Sequence, residues 1–230
     1  GDMKKNVAER IKGGLVVSCQ ALETEPLYSS YIMGRMAYAA MEGGAVGIRA
    51  NTPVDIVEIK KTVDLPVIGL HKVVTEGYDV YITPTMAEVD ALVEAGADII
   101  ALDATDRKRA GDVTIKELFP QIREKYPDML FMADCSTYED ALQAQELGFD
   151  FAGTTLCGYT KETEGTEIPC YELLRKMCGN LKIPVIAEGG IWERGQLQEA
   201  FACGIHAAVV GTAITRPREI TRRFVDAIPN

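Results

Sequence analysis

The sequence predicts a single α/β domain over residues 1–230: a (β/α)8 barrel of the TIM type, with its active site at the C-terminal ends of the strands and a phosphate site after strands 7 and 8. Three observations carry that expectation. The first is a repeat. Ala95-Gly96-Ala97-Asp98, Leu147-Gly148-Phe149-Asp150 and Cys203-Gly204-Ile205-His206 each close a helix and open a strand, and Gly43-Gly44-Ala45 is a looser version. Gly44, Gly96, Gly148 and Gly204 stand 52, 52 and 56 residues apart, so each interval has room for two strand–helix units and the chain for eight. The second is the apolar run without alternation, as in Val185-Ile186-Ala187 and Ala207-Ala208-Val209-Val210, which marks parallel strands buried on both faces. The third is that these runs end in polar groups, where parallel α/β folds present their chemistry. Eight evenly spaced strands in so short a chain favour closure over a doubly wound sheet.

Taken in order, a polar helical arm over 3–13 leads to a first strand over 15–20. A helix over 29–42 follows, apolar at Ile32, Met33, Met36, Ala39 and Ala40 and stopped by Gly43-Gly44. The second strand is expected over 45–49, and Thr52-Pro53 opens the next helix as N-cap and first helical residue. Strand 3 spans 66–70, with His71-Lys72 directly after it and a longer loop through Tyr81-Ile82-Thr83-Pro84. Capping boxes are expected at Thr85 with Glu88, Thr114 with Glu117 and Ser136 with Glu139. Strands 4, 5 and 6 fall over 98–103, 129–134 and 149–154. A loop through Tyr159 and Gly165 leads to a helix over 169–179, strand 7 over 183–188, a helix over 193–202, strand 8 over 207–210 and a final helix.

Composition narrows the function. A hydrophobic fraction of 47% and a charged fraction of 25% are those of an ordinary globular protein. A net charge of −10 argues against nucleic acid or an anionic membrane as partner, so an anionic ligand needs a local cluster of donors. The six cysteines form no CxxC pair, and with only two histidines a His-based zinc site is not expected. Buried free thiols, no apolar span and no leader-like segment point to a cytoplasmic protein. Gly1-Asp2 ahead of Met3 reads as an expression scar outside the fold.

The expected strand ends bring Gln20, Arg49, Lys72, Asp103, Asp134, Thr154, Glu188 and Gly211 to one mouth. Each alone is readily a solvated rim group; an arginine, a lysine and three carboxylates on one face argue for chemistry. A neighbouring guanidinium would bring Lys72 down towards a useful base. Glu188 faces the mouth from the far side, and Asp134 is expected to orient Lys72 or Glu188 or to accept a hydroxyl. Gln20 supplies an amide for a carbonyl, an acetamido group or a hydroxyl. Asp103 is read as capping the loop over 104–113, and His206 lies at the opposite end of the barrel. Gly190, Gly211, Thr212 and Arg216 match a phosphate site after strands 7 and 8.

These residues sit in motifs that together carry a resemblance. Gly13-Gly14-Leu15-Val16-Val17-Ser18-Cys19-Gln20-Ala21, Gly47-Ile48-Arg49-Ala50-Asn51, Pro66-Val67-Ile68-Gly69 and Val80-Tyr81-Ile82-Thr83-Pro84-Thr85 are four of them. Met132-Ala133-Asp134-Cys135-Ser136-Thr137, Gly153-Thr154-Thr155-Leu156-Cys157-Gly158-Tyr159-Thr160 and Ala187-Glu188-Gly189-Gly190 complete the set. From about residue 13 to 228 the chain resembles the N-acylglucosamine-6-phosphate 2-epimerases, also called N-acetylmannosamine-6-phosphate 2-epimerases. The stretch Leu70-His71-Lys72-Val73-Val74-Thr75 departs from that pattern around a lysine that is itself present.

The resemblance implies inversion at C2 of an amino-sugar phosphate in sialic acid catabolism, with no metal or nucleotide cofactor. It implies a catalytic lysine and glutamate at Lys72 and Glu188, supporting residues at Gln20, Arg49 and Asp134, and a phosphate-binding arginine at Arg216. A homodimer is the family-type expectation. Two rivals remain at this point: a Schiff-base aldolase or lyase with Lys72 as nucleophile, and a non-catalytic barrel that binds sugar phosphates.

Overall fold

A computed structural model describes the backbone over residues 2–230 and side chains from Asn6 onward. Among the described residues the strands are β1 (Leu15–Cys19), β2 (Gly47–Asn51), β3 (Val67–Leu70), β4 (Ile99–Asp103), β5 (Leu130–Asp134), β6 (Phe151–Gly153), β7 (Val185–Glu188) and β8 (Ala207–Val210). Every neighbouring pair is parallel, and β8 returns to pair with β1, so the sheet closes in chain order. The predicted (β/α)8 barrel is the observed fold.

Around it run α1 (Asp2–Ile11), α2 (Ser30–Glu42), α3 (Pro53–Thr62), α4 (Met86–Ala95), α5 (Ile115–Lys125), α6 (Tyr138–Leu147), α7 (Tyr171–Asn180) and α8 (Arg194–Ala202). A short α9 (Thr212–Thr215) and α10 (Pro217–Asp226) stand where one final helix was expected.

Successive side chains on a strand point to opposite faces, and this period sorts the core into two shells. Val16, Ile68, Ile99, Leu130, Phe151, Ile186 and Val209 fill the barrel interior, and Ile11 of α1, fully buried, packs with them. The intervening residues, among them Val17, Ile48, Ile100, Phe131 and Val185, meet the helices through Ile56, Leu92, Phe119, Ile122 and Met177. Each such side chain contributes about 1.5–3 kcal/mol on leaving water. Phe119 stacks on Phe149 at 3.9 Å and meets Phe131 edge-on at 5.4 Å between ring centroids. Gly69 lies on the outer face, where a Cβ would come within 2.7 Å of Ile56 and 2.8 Å of Ala97. Its bare backbone lets the helix layer close on the sheet.

Most expected boundaries fall within two residues of the observed ones, and three differences bear on the site or its helices. The second strand runs two residues beyond the expected 45–49, so Arg49 lies within it and Asn51 ends it. The expected Ser136–Glu139 capping box is instead Thr137 with Asp140: Thr137 Oγ1 accepts the Asp140 N–H, and the Asp140 carboxylate accepts the N–H groups of Ser136 and Thr137. The aspartate's shorter arm keeps its carboxylate at the helix start. The sixth strand is three residues long and stops before Thr154. The boxes at Thr85 and Thr114, and Thr52 with Pro53, stand as read.

Candidate active site

Carried to the C-terminal ends of the strands, the period of two turns Gln20, Arg49, Asn51, Lys72, Asp103, Asp134, Thr155, Glu188 and Gly211 towards the mouth. A cavity of about 610 Å³ opens there, lined among others by Gln20, Arg49, Lys72, Tyr81, Thr155, Glu188, Gly190, Gly211, Thr212 and Arg216. Gln20, Arg49, Lys72, Glu188, Gly190, Gly211, Thr212 and Arg216 thus line one cavity, with Asp134 directly behind Arg49.

Arg49 is at its centre and almost wholly out of solvent. Its Nη2 donates to Asp134 Oδ2 at 2.7 Å and its Nη1 to Asp134 Oδ1 at 3.1 Å. Its Nε lies 3.2 Å from Glu188 Oε2, near enough for an ion pair but without an aligned hydrogen bond. Burial opposes the guanidinium charge, and Asp134 and then Glu188 more than restore it, so Arg49 stays cationic. Asp134 also accepts from Thr155 Oγ1 at 2.6 Å. It is therefore bonded to Arg49 and Thr155 rather than to Lys72 or Glu188, the partners expected from sequence.

Lys72 follows β3 on a fixed backbone. Its N–H donates to Asn51 Oδ1 at 2.9 Å, and the residue forms an antiparallel bridge with Ile82. The loop after β3 doubles back through Val73 N–H to Tyr81 O at 2.9 Å and Thr83 N–H to His71 O at 2.8 Å. Burial, then the charges of Arg49 and Arg216, bring the Lys72 ammonium down to about 8, against the opposing pull of Glu188 and Glu25. Glu188 moves the other way. Burial first, and the charge of Asp134, push its carboxyl well up, despite Arg49 and Lys72. Its Oε1 has no hydrogen-bond partner, nor has Gln20 Oε1, whose amide Nε2 donates to Ser18 Oγ at 2.9 Å. Both acceptors are buried and unpaired, on residues that line the cavity.

After β7, Gly190 adopts φ +79°, and a Cβ there would lie 2.6 Å from the Ile168 carbonyl carbon and 2.7 Å from its oxygen. No side chain fits, so the backbone itself forms the wall. Gly211 precedes α9, which is tied to β1 by Thr215 Oγ1 donating to Ser18 O at 2.6 Å. Arg216 follows α9. Its Nε and Nη2 donate to the two oxygens of Glu25 at 2.8 and 3.4 Å, and its Nη1 to Thr212 Oγ1 at 3.1 Å.

Two expectations resolve differently, those for Thr154 and for three of the cysteines, while those for Asp103 and His206 stand. Thr154 does not face the mouth: its hydroxyl donates to Glu188 O and accepts from Glu188 N–H, and the inward residue is Thr155. Asp103 holds its own loop as read, accepting from Thr105 and Arg107, while Arg109 Nη1 donates to its carbonyl. His206 meets Ala8 O at 2.8 Å, far from this chemistry. Cys19, Cys135 and Cys157 are buried thiols, but Cys170, Cys178 and Cys203 are only partly so.

Asn51, Tyr81, Thr155 and Glu25 were missed. Extending the strand period by one step would have found Asn51 and Thr155. Nothing local marks Glu25, a loop residue that meets Arg216 only in the folded chain.

A closed parallel barrel with a lysine, two carboxylates and two arginines converging above its C-terminal face, beside a glycine-walled subsite after β7 and β8, defines a (β/α)8 enzyme suited to proton transfer on a small anion. Residues 33–230 match the model of a family described as putative N-acetylmannosamine-6-phosphate epimerase. The chain belongs to that family. It is 54% identical over 226 residues to a putative N-acetylmannosamine-6-phosphate 2-epimerase of Caldanaerobacter subterraneus subsp. tengcongensis, covering 98% of this chain and 95% of that one. A putative N-acetylmannosamine-6-phosphate 2-epimerase of Clostridioides difficile is 53% identical over 220 residues, covering 96% and 98%. Among solved structures, the N-acetylmannosamine-6-phosphate 2-epimerase from Clostridium perfringens superposes with a TM-score of 0.92 at 48% identity, covering 96% of each chain.

Proposed function

We propose that this chain interconverts N-acetylmannosamine 6-phosphate and N-acetylglucosamine 6-phosphate by moving a proton at C2, with Lys72 and Glu188 as the acid–base pair. One observation carries the assignment of roles. β3 and β7 are four strands apart in either direction around an eight-stranded barrel, so Lys72 and Glu188 reach the ligand from opposite sides. Inversion needs that: a proton leaves one face of C2 and another arrives on the opposite face.

In the open-chain sugar C2 is α to the C1 aldehyde, and its proton leaves once the enolate is stabilised. Neutral Lys72, its charge disfavoured by burial and by two arginines, takes the proton. Protonated Glu188, its carboxyl pushed up by burial, returns one from across the mouth. Arg49, fixed by Asp134, keeps a positive charge beside the developing oxyanion and sets the position of Glu188. Gln20 Oε1, buried and unpaired at the cavity wall, would accept from a hydroxyl or the acetamido N–H. The backbone at Gly190 and Gly211, with Thr212 and Arg216, holds the phosphate and so fixes the distance to C2.

Proton NMR of the reaction in deuterated water tests this directly. Wild-type protein should convert the manno epimer to the gluco epimer with deuterium at C2, and Lys72→Ala should abolish conversion. No conversion by the wild type would sink the assignment. A borohydride-trapped substrate adduct on Lys72 would replace the proton-transfer role with a Schiff base.

Exposed apolar residues on α10 and just after it support a homodimer, and six free cysteines suit a reducing cytoplasm. Phe224, Val225 and Ile228 are 74, 56 and 66% exposed on this last segment, a face that a second copy would cover. Sedimentation of wild type beside Phe224→Asp checks it, a monomeric wild type being the contrary result.

A further inference from the structure

The partner that Arg216 already has raises a question about the phosphate end of the site. A surface arginine meant only to meet an anion would present its whole fork to the cavity. Here one edge is occupied. Glu25 takes Nε at 2.8 Å and Nη2 at 3.4 Å, while Thr212 Oγ1 takes one proton of Nη1 at 3.1 Å.

Glu25 is itself held. Its Oε2 accepts the Leu22 N–H at 2.7 Å, its own N–H donates to Leu22 O at 2.8 Å, and Tyr28 N–H donates to its carbonyl at 3.2 Å. The carboxylate is therefore part of a fixed turn between β1 and α2, with its side chain 13% exposed against 28% for that of Arg216. A guanidinium has five N–H bonds in a rigid plane. With the Nε edge on Glu25 and one Nη1 proton on Thr212, the outer protons of Nη1 and Nη2 remain for the cavity that Arg216 lines.

We propose that Glu25 is a positioning residue for the phosphate end of the site, anchoring one edge of Arg216 so that the opposite edge faces the ligand. The inference rests on the reading that Arg216 binds phosphate. Glu25 itself touches no ligand. Its carboxylate acts through the arginine, cutting the conformational freedom that a long side chain would otherwise lose on binding. The cost is a negative charge near an incoming dianion, which the gain in orientation must outweigh for the role to hold.

Steady-state kinetics with N-acetylmannosamine 6-phosphate, together with inhibition by inorganic phosphate, tests the proposal in Glu25→Gln, Glu25→Ala and Arg216→Ala. Glu25→Ala should raise KM and the phosphate inhibition constant together by about tenfold, with a smaller effect on kcat. Glu25→Gln, which keeps one acceptor oxygen and so only one of the bonds from Leu22 N–H and Arg216 Nε, should fall between Ala and wild type. Arg216→Ala should weaken phosphate at least as much. Unchanged or tighter phosphate binding in both Glu25 variants, with Arg216→Ala still impaired, would overturn the positioning role and leave the arginine's role standing. Unchanged phosphate binding in Arg216→Ala would overturn both.

Discussion

Arg49 and Asp134 meet fork to fork inside the barrel, with side chains 1% and 0% exposed and their closest atoms 2.7 Å apart. Two charges so far from water are tolerable only because each answers the other, and because Thr155 takes a further lone pair of the carboxylate. The pair sits between the floor of the barrel and the cavity, and it sets where Glu188 can stand.

Removing one partner should therefore be costly. Asp134→Ala strips the buried guanidinium of both its aligned hydrogen bonds and leaves it only the ion pair with Glu188, so denaturant unfolding should show a loss of about 3–5 kcal/mol. The double change Arg49→Met with Asp134→Leu should recover most of that stability while the epimerase assay stays silent. A double variant as unstable as the single one would mean that the pair is not the origin of the loss.

A rate limb should follow Lys72. Its ammonium titrates at about 8, so kcat/KM should climb as pH rises towards that value and the neutral amine accumulates. The same displacement acts on stability. Between about 8 and the ordinary 10.5 the unfolded chain binds the additional proton, so this group's contribution rises with pH across that window. Below it the folded chain must hold a disfavoured charge, and Lys72→Met should stabilise the protein at pH 7 by about 1–3 kcal/mol. Thermal unfolding of the two proteins at pH 7 and pH 10 checks the sign, since the gap should narrow at the higher pH.

Glu188 has the opposite sign. Its folded carboxyl is raised above 4.5, so the folded chain holds the proton longer and the group's contribution falls as pH rises above that value. Glu188→Gln mimics the protonated form. It should retain the fold yet lose epimerisation by about 10²–10⁴-fold, while C2 proton exchange by Lys72 continues, as NMR in deuterated water would show. Loss of exchange along with epimerisation would take the separate acid role away from Glu188.

Asn51 makes a smaller but specific contribution. Asn51→Ala removes the acceptor for the Lys72 N–H, at a cost of about 1 kcal/mol in stability. Because the lost bond sets the start of the lysine side chain, kcat should fall by about tenfold with KM little changed. A change confined to stability would make Asn51 a structural residue only.

Backbone space is testable at Gly190. An alanine there meets the Ile168 carbonyl at 2.6–2.7 Å and must hold φ +79°, so Gly190→Ala should destabilise by about 1–3 kcal/mol and raise KM for the sugar phosphate. Unfolding midpoints and KM measured together check it.

Much of this was legible in residue order alone. Strands buried on both faces must be apolar throughout, and every second helix here, α2, α4 and α6, closes on a glycine at regular spacing. The run from Val185 to Ala187 and the interval from Gly44 to Gly96 therefore announced a barrel without any knowledge of contacts. Strand polarity then placed Lys72, Glu188 and Arg216 at one mouth, because parallel strands all point the same way. What the sequence could not decide was pairing across the barrel. Asp134 bonds Arg49 rather than Lys72, and Glu25 clasps an arginine 191 residues away. Those choices depend on register and on which face each side chain takes, and a one-residue shift, as between Thr154 and Thr155, reverses the answer. Periodicity is local and survives in one dimension; the partner of a buried charge is settled only when closure brings distant strands within a few ångströms.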